Sequence, residues 1–494
     1  MLTLLAACHH EPEPTDSADA PLEGTFAEVA ARSGFTVTAG RLGTLGEVDC
    51  CAPGAVCLFD DPAMPVVAYL LPPAPGQTAP DVGVTADGLA SNWHLRPDEA
   101  VVLLGRTPPQ AKWFGAASFV TYRFDDGVVS VPRGALGPAL NNAAIGLAQG
   151  SAADVPYAVV TTFDAALEAK LVDWLVRTGW DPATVYTDRL PPELVRPGLT
   201  DTADTFANLT RVAGFSDPAA GAAWVADPGA EVLRLTPETA EAHAVEPHPV
   251  AELPVGGSGL SENGFRVAFG KLGEAITAAF PDRLHLETES FPLSVEPYTC
   301  IDAGGCGFDI SDRYYARSLP FDLVTDDEFV VAFGVNHERS EKAAYASLAI
   351  EDVVRTLTVA TLEAPALDGS ARAWLPDDPL VDDLYAVVFA RDCAAFGEAL
   401  CVEVPTECPG AEREAGLYLT FRAYLDPLTG TAPTAAELVV DRAIKFFPPL
   451  PTGTTSTTTT GTTTTGTGTT TTGTGTTSTG TTGSGTDTGA SGTP

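Results

Sequence analysis

Basic residues are scarce in this chain of 494 residues. It has 27 lysines and arginines against 65 aspartates and glutamates, which gives a formal net charge of -38. A surface of this sign repels the phosphates of nucleic acids and the headgroups of anionic lipids. The composition therefore argues against nucleic-acid binding, and it is compatible with cations, basic partners or simple solubility.

Long apolar segments are also missing. No stretch approaches the roughly 18 consecutive apolar residues that a membrane-spanning helix needs. The hydrophobic content is nevertheless 45%, which is enough to build real cores. On a prior of roughly 150 residues per domain, the chain has room for two or three domains and no transmembrane helix.

Complete catalytic and metal-binding motifs are absent as well. The sequence has no pair of Cys-x2-Cys knuckles for zinc, no EF-hand spacing for calcium and no Gly-x-Ser-x-Gly nucleophile elbow. The string Asp487-Thr488-Gly489 occurs in aspartic proteases, but here it lies in a Thr/Gly-rich tail. That chemistry needs two aspartates held in a folded cleft, so the match is an artefact.

The first feature that is present is the string Leu5, Ala6, Ala7 and Cys8. It resembles a bacterial lipobox, in which a signal peptidase cuts before a cysteine that then carries lipid. The resemblance implies that Cys8 is lipidated and that the protein lies in the cell envelope, outside the cytoplasm. The lipid would be its membrane attachment. The apolar region is short and lacks a basic start, which a start codon further upstream would explain.

Composition shifts divide the rest of the chain. Residues 1–7 are the remnant of a signal peptide, and 8–23 form an acidic, proline-punctuated tether. Residues 237–259 are rich in proline and then glycine, without periodicity, which is typical of a linker. Residues 450–494 are almost wholly threonine and glycine. Because this tail has too few apolar side chains to offset the entropy of ordering, we expect it to be disordered.

Five sequence patterns occur twice in the same order. The offsets between the copies are 249, 229, 227, 228 and 209 residues, constant in the middle and different at both ends, as loop insertions in a duplicated domain would give. The matched segments are 51–60 with 300–309, 98–105 with 327–334, 138–140 with 365–367, 157–164 with 385–392, and 217–221 with 426–430.

The repeated patterns are buried strands and turns rather than chemical motifs. They predict an α+β fold made of two tandem copies of a related mixed domain, at 24–236 and 260–449, with disordered termini. The clearest helix is predicted from Asp164 to Arg177, because Leu167, Leu171 and Leu175 fall on one face.

Eight cysteines remain when Cys8 is set aside, an even number outside the cytoplasm, which favours disulfides over free thiols. The duplication predicts one small disulfide loop in each copy. Cys393 with Cys401 is predicted as a third bridge, and Cys50 and Cys408 are left without assigned partners. The predicted pairs are Cys51 with Cys57, Cys300 with Cys306, and Cys393 with Cys401.

His337 and Glu338 are the sharpest candidates for chemistry, since they follow a buried strand and have no counterpart in the first copy. A histidine beside a carboxylate can act as a general base or metal ligand, and Lys342 follows closely. The pattern is not His-Glu-x2-His, however, and a single loop histidine is more often structural.

Calcium is a second possibility to weigh. Asp302, Asp309 and Asp312 surround the second cysteine loop, and hard oxygen ligands gathered there would suit calcium. Solvated aspartates are the commoner outcome in an acidic chain. We therefore expect no cofactor, with calcium at these three aspartates as the exception.

Two functional hypotheses remain. The first is a non-enzymatic envelope lipoprotein with two related domains that binds an unidentified protein or extracellular ligand. The second is an extracytoplasmic enzyme with a site at His337 and Glu338. The first is favoured because the repeated residues are structural and no complete catalytic constellation can be assembled.

Overall fold

The computed structural model describes residues 20–45, 50–52, 61–125, 128–239, 245–293, 298–303, 306–307, 310–408 and 410–449. Within these residues, short helices accompany several sheets whose strands pair almost entirely antiparallel. The predicted α+β class is therefore confirmed. The predictions for Cys8, Cys57, Asp309, residues 8–19 of the tether and the Thr/Gly-rich tail concern residues outside the described ranges.

The first half of the described chain contains one large sheet with helices packed on it. The helices are α1 (Phe26–Arg32), α2 (Asn142–Gln149), α3 (Ala165–Arg177) and α4 (Pro218–Ala226). The strands are β1 (Phe35–Thr44), β2 (Val66–Leu70), β3 (Val82–Val84), β4 (Ala90–Asn92), β5 (Ala100–Arg106), β6 (Ala111–Asp125), β7 (Val128–Ser130), β8 (Gly134–Ala135), β9 (Leu140–Asn141), β10 (Pro156–Thr162), β11 (Val185–Arg189), β12 (Thr205–Phe215) and β13 (Glu231–Pro237). The large sheet has the order β11-β10-β5-β13-β1-β2-β12-β6-β7; β8 and β9 also pair with β6, and β3 pairs with β4.

The second half contains two five-stranded sheets. Its helices are α5 (Arg266–Ala278), α6 (Thr299–Ala303) and α7 (Ala364–Leu367). Its strands are β14 (Arg283–Glu289), β15 (Phe291–Pro292), β16 (Arg313–Arg317), β17 (Phe329–Val335), β18 (Tyr345–Asp352), β19 (Thr358–Glu363), β20 (Leu384–Ala390), β21 (Cys401–Glu403), β22 (Leu417–Tyr424) and β23 (Arg442–Pro449). The sheets have the orders β14-β23-β17-β20-β21 and β15-β16-β22-β18-β19.

The strand orders of the two halves correspond. The sequence β11-β10-β5-β13-β1 has the same connections as β21-β20-β17-β23-β14, and β2-β12-β6-β7 has the same connections as β16-β22-β18-β19. The pairs β11-β10 and β21-β20 are parallel, and the neighbouring pairs β10-β5 and β20-β17 are antiparallel. The register also corresponds, because Tyr157 lies opposite Gly105 and Tyr385 lies opposite Gly334.

Helix α3 forms where the spacing of leucines predicts it. The side chain of Asp164 accepts a hydrogen bond from the Ala166 N–H and so satisfies one free donor of the first turn. Leu167, Leu171 and Leu175 are buried against the sheet. The predicted helix is confirmed.

Strand β17 is buried along its whole length because it is covered on both faces. Phe329, Val331 and Phe333 pack in one cluster with residues of α5. Val330 and Ala332 point the other way and pack against the second sheet. A continuous apolar run is what a strand between two covering layers requires, since alternate side chains face opposite sides.

The two halves share a core. The indole of Trp113 stacks on the Tyr424 ring with centroids 4.2 Å apart, and Tyr345 packs in the same cluster. Arg422 of the second half forms a buried ion pair with Asp61 of the first at 2.9 Å. The described residues up to 449 consequently belong to one compact unit.

The second cysteine loop docks on the first half. The Cys306 N–H donates to the Pro132 carbonyl at 2.8 Å, and Ile301 joins the main core cluster of the first half. A Cβ added at Gly134 would lie 2.6 Å from Ile301 Cγ1, so this close approach requires glycine. A disulfide also links the two halves, because Cys51 of the first half is bonded to Cys408 of the second.

The predicted linker, 237–259, begins at the last residue of β13, Pro237, and its described residues 245–259 contain no helix or strand. The His248 N–H donates to the Phe163 carbonyl at 3.2 Å, and the Gly257 N–H donates to the Ala432 carbonyl at 2.7 Å. The segment therefore contacts both halves. None of the helices in the described part of the chain is long and apolar enough to cross a membrane.

Candidate functional site

His337 follows β17 and is almost fully buried. Its Nδ1 lies 2.8 Å from Glu262 Oε1, and its Nε2 lies 3.6 Å from Asp441 Oδ2. Glu262 also accepts hydrogen bonds from the Ser340 hydroxyl and from the Val439 N–H. The imidazole thus joins the segment before α5, the turn after β17 and the segment before β23.

The charge state of His337 argues against a role as a general base. Burial by itself lowers the pKa of the imidazole, but the adjacent carboxylates of Glu262 and Asp441 outweigh burial and raise this pKa to about 10. At neutral pH the ring is a cation with a proton on each nitrogen. An imidazolium in that state has no lone pair with which to act as a general base.

Glu338 and Lys342 lie in separate polar contacts. Glu338 forms an ion pair with Lys112 of the first half and accepts a hydrogen bond from the Ala346 N–H at 3.0 Å. Lys342 is buried, with its Nζ 2.6 Å from Asp426 and 3.1 Å from Glu437. The structure therefore does not bring these two side chains and His337 together at one site.

The predicted disulfide between Cys51 and Cys57 is wrong, because Cys51 is bonded to Cys408. The two cysteines are 357 residues apart in sequence and meet only because the halves pack together. The matching spacing of the two cysteine loops suggested a local bridge in each, and spacing carries no information about a partner in the other half. Cys50 is also disulfide-bonded, and Cys57 lies outside the described residues.

The structure contains the other two predicted pairs. Cys300 is bonded to Cys306, and Cys393 is bonded to Cys401. Both bridges close short loops, with sequence separations of 6 and 8 residues. Disulfides form and persist in oxidising environments, so these bridges favour a location outside the cytoplasm.

The aspartates proposed for calcium have other partners. Asp302 is exposed and pairs with Arg123 Nη1 at 2.7 Å. Asp312 is buried and accepts hydrogen bonds from Trp113 Nε1 and Asn141 Nδ2, each at 3.0 Å. Asp309 lies outside the described residues. Within the described ranges, no group of three or more His, Cys, Asp or Glu side chains is placed to hold a metal ion.

A groove opens between the two sheets of the second half. Its volume is about 370 Å³, within the range of small-molecule sites. Strands β14 and β23 form one wall, and the segment after β16 forms the other. The residues that line this groove are Leu286, Thr288, Leu319, Pro320, Phe321, Asp322, Val330, Glu414, Gly416, Ala443, Lys445 and Phe447.

The groove leaves large apolar side chains in contact with solvent. Leu286 is 56% exposed and Leu319 is 54% exposed. Leu286 lies opposite Lys445 across β14 and β23, as Thr38 lies opposite Arg234 across β1 and β13. At this position the first half has a polar residue where the second half has an exposed leucine.

The corresponding region of the first half is closed. Residues 71–99 connect β2 to β5 there, whereas the shorter segment 318–328 connects β16 to β17. Two residues of the longer segment, His94 and Glu99, are fully buried together with Arg234 of β13. A Cβ added at Gly40 would lie 2.2 Å from the Leu70 carbonyl oxygen, so β1 also packs directly against β2.

Sequence reasoning does not find this groove. Its lining residues come from five separate segments, and each apolar residue is ordinary for a strand or the turn beside one. The available signal is the composition of β14, RLHLETE, which has two leucines but is exposed along most of its length. Exposure becomes visible only when the strand is placed at the edge of a sheet.

Comparisons with known proteins give no functional assignment. No family model and no curated protein matches the chain. Among solved structures, an uncharacterised protein from Burkholderia cenocepacia is similar at 12% identity and a TM-score of 0.37, covering 83% of this chain and 82% of that one. A structural-genomics target from Vibrio parahaemolyticus is similar at 10% identity and a TM-score of 0.35, covering 73% of this chain and 88% of that one. Likenesses of this size carry no argument about activity.

Proposed function

We propose that the protein is a non-enzymatic binding protein of the bacterial envelope, held by a lipid on Cys8 and built from a duplicated domain. Its ligand binds in the groove of the second half. The disulfides support an oxidising location. The separate contacts of His337, Glu338 and Lys342 support a structural role for the residues that an enzyme would have used.

The duplication is supported by the corresponding strand orders of the two halves. The matching register of Tyr157 with Gly105 and of Tyr385 with Gly334 supports it further. Cys51 of the first half is also bonded to Cys408 of the second, while Cys306 of the second half contacts Pro132 of the first, as two copies related by an approximate two-fold axis would. We expect the halves to superpose in an experimental structure with these residues equivalent, and a failure to superpose would refute the duplication.

The observation that carries the binding function is the open apolar groove in one half and its closed equivalent in the other. Exposed leucines contribute little to folding, because their side chains stay in water. A contiguous apolar surface in a concave site is typical of ligand binding. After a duplication, this region is closed and packed in the first copy, and in the second copy it is open and can bind a ligand.

A titration with the neutral fluorescent probe N-phenyl-1-naphthylamine tests this function. We expect saturable binding to the wild-type protein and loss of binding in the variant Leu286→Asp/Leu319→Asp. Both residues are more than half exposed, so the variant is expected to fold. The control is Leu428→Asp, at an apolar residue that is 69% exposed outside the groove. Unchanged probe binding in the double variant would overturn the proposal.

The lipid anchor requires its own test. Radiolabelled palmitate is expected to label the wild-type protein in bacterial cells. The label is expected to be lost in the variant Cys8→Ala, which has no thiol to accept the lipid. Equal labelling of both proteins would rule out Cys8 as the lipidated residue.

A further inference from the structure

We infer that the groove of the second half binds a small apolar amine, with its hydrocarbon part between β14 and the segment after β16 and its positive charge at Glu414. The inference rests on the proposed binding function and names its ligand class. It follows from the charges that line the groove, from their differences from the first half and from the size of the site.

The charge of the groove is negative. Three of its lining residues are ionisable, namely Asp322, Glu414 and Lys445. Lys445 forms an ion pair with Asp322, and its Nζ lies 3.5 Å from Glu328 Oε2, so two carboxylates already neutralise the single cation. Glu414 is exposed and has no ion-pair partner among the described residues. A ligand cation could pair with the Glu414 carboxylate. A ligand anion would meet only Lys445, which is already paired with two carboxylates.

The first half has charges of the same sign at two of the corresponding positions and differs at the third. Arg234 and Glu99 correspond in position to Lys445 and Glu328. Trp93 and Phe321 form equivalent bridges to the next sheet strand, so Asp322, the residue after Phe321, corresponds to His94.

The first half covers these groups with an acid of its own. Asp81, from the longer segment, lies 3.6 Å from His94 Nδ1. A carboxylate therefore lies beside the buried histidine in the first half. In the second half the histidine position holds an aspartate, so the matching occupant carries a positive charge.

Glu414 itself is a difference between the halves. Glu414 lies three residues before Leu417, which pairs with Phe321. In the first half, Ala203 lies three residues before Phe206, which pairs with Trp93. Ala203 therefore corresponds to Glu414. Ala203 is buried under the closed region of the first half. A carboxylate stands at the opening of the groove where the closed copy has a methyl group.

The apolar part of the ligand is matched by the groove walls. Leu286, Leu319, Phe321 and Phe447 supply hydrocarbon and aromatic surface within about 370 Å³. Sites of this size bury small molecules through apolar walls and use one or two polar groups for orientation. A short alkyl or aryl chain that ends in an ammonium group satisfies both the walls and the charge.

Isothermal titration with three eight-carbon probes tests the inference. Octylamine is a cation at pH 7, octan-1-ol is neutral and octanoate is an anion, while their apolar chains have the same length. We expect octylamine to bind more tightly than octan-1-ol by up to about fivefold, as an exposed charge pair would give. Octanoate is expected to bind more weakly than octan-1-ol.

Two variants locate the charge preference. Glu414→Gln is expected to reduce the affinity for octylamine to that for octan-1-ol and to leave octan-1-ol binding unchanged. The matched control Glu412→Gln removes an exposed carboxylate two residues away that does not line the groove, and it is expected to change neither affinity.

The outcomes separate the inference from the function on which it rests. If octan-1-ol binds as tightly as octylamine, or if octanoate binds best, the amine inference is wrong and the groove remains a binding site. If none of the three probes binds, both the inference and the proposed function fail. An octylamine preference that survives in Glu414→Gln would refute the assignment of Glu414.

Discussion

His337 shows how a residue that looks catalytic in sequence can serve the fold. It lies as a buried cation between Glu262 and Asp441. Such a cluster is stable only while its charges balance, because an unpaired charge in the interior is strongly unfavourable. The structural value of this histidine is to hold three separate segments of the second half in place.

Replacing this cation should be costly. His337→Gln keeps the approximate shape of the side chain but leaves Glu262 and Asp441 without a buried positive charge. We expect the free energy of unfolding at pH 7 to fall by about 3 kcal/mol, measured by urea denaturation. A loss below roughly 0.5 kcal/mol, the range of ordinary surface substitutions, would contradict the importance of the charge.

The same histidine predicts a pH dependence. Its folded pKa of about 10 lies above its ordinary value of 6.5. The stability that it contributes is therefore fully present below about pH 6.5 and is lost as the pH rises towards 10. The stability difference between wild type and His337→Gln should shrink from pH 7 to pH 10. A constant difference over that interval would show that His337 is neutral in the folded protein.

Among the structural elements, the connection from β2 to β5 in the first half and that from β16 to β17 in the second make the halves different. The longer connection, 71–99, covers the first half, and the shorter one, 318–328, leaves the groove open. The ion pairs of Arg234 in the first half and of Lys445 in the second should therefore contribute differently to the stability of the fold. Arg234 and Glu99 are fully buried, whereas Asp322, one partner of Lys445, is 47% exposed.

Matched substitutions compare the two ion pairs. Arg234→Met leaves Glu99 buried without a positive charge and is expected to lower the unfolding free energy by about 3–5 kcal/mol. Lys445→Met is expected to cost about 1 kcal/mol, because its closer partner, Asp322, is half exposed to water. Thermal and urea unfolding of both variants provide the measurement. Equal losses would mean that the groove is closed in solution.

At the scale of the whole molecule, the disulfide between Cys51 and Cys408 links the two halves. In the loop-entropy model, a bridge that closes 357 residues stabilises by about 6 kcal/mol, and one that closes 8 residues by about 2.5 kcal/mol. Cys51→Ser/Cys408→Ser should therefore destabilise the protein more than Cys393→Ser/Cys401→Ser does. Unfolding under non-reducing conditions measures both, and the reverse order would show that the first bridge lies between segments already held by packing.

The elements that sequence predicts correctly are those whose signal is local. Helix α3 follows from the spacing of Leu167, Leu171 and Leu175, and strand β17 follows from its unbroken apolar run. The short disulfide loop of Cys300 and Cys306 is local in the same sense.

The features that sequence does not predict depend on contacts between distant segments. Cys51 meets Cys408 only when the halves pack. The groove likewise requires β14 to lie beside β23, more than 150 residues later in the chain. His337 is misleading for a related reason, since the carboxylates that hold its charge come from segments on either side of it, far away in sequence.

A crystal structure of the protein with octylamine tests the binding site most directly. We expect electron density for the alkyl chain between Leu286 and Phe447, with the amine nitrogen within hydrogen-bonding distance of Glu414. An empty groove at saturating octylamine, or octylamine bound at a different place, would contradict the assignment of the second half as the binding half.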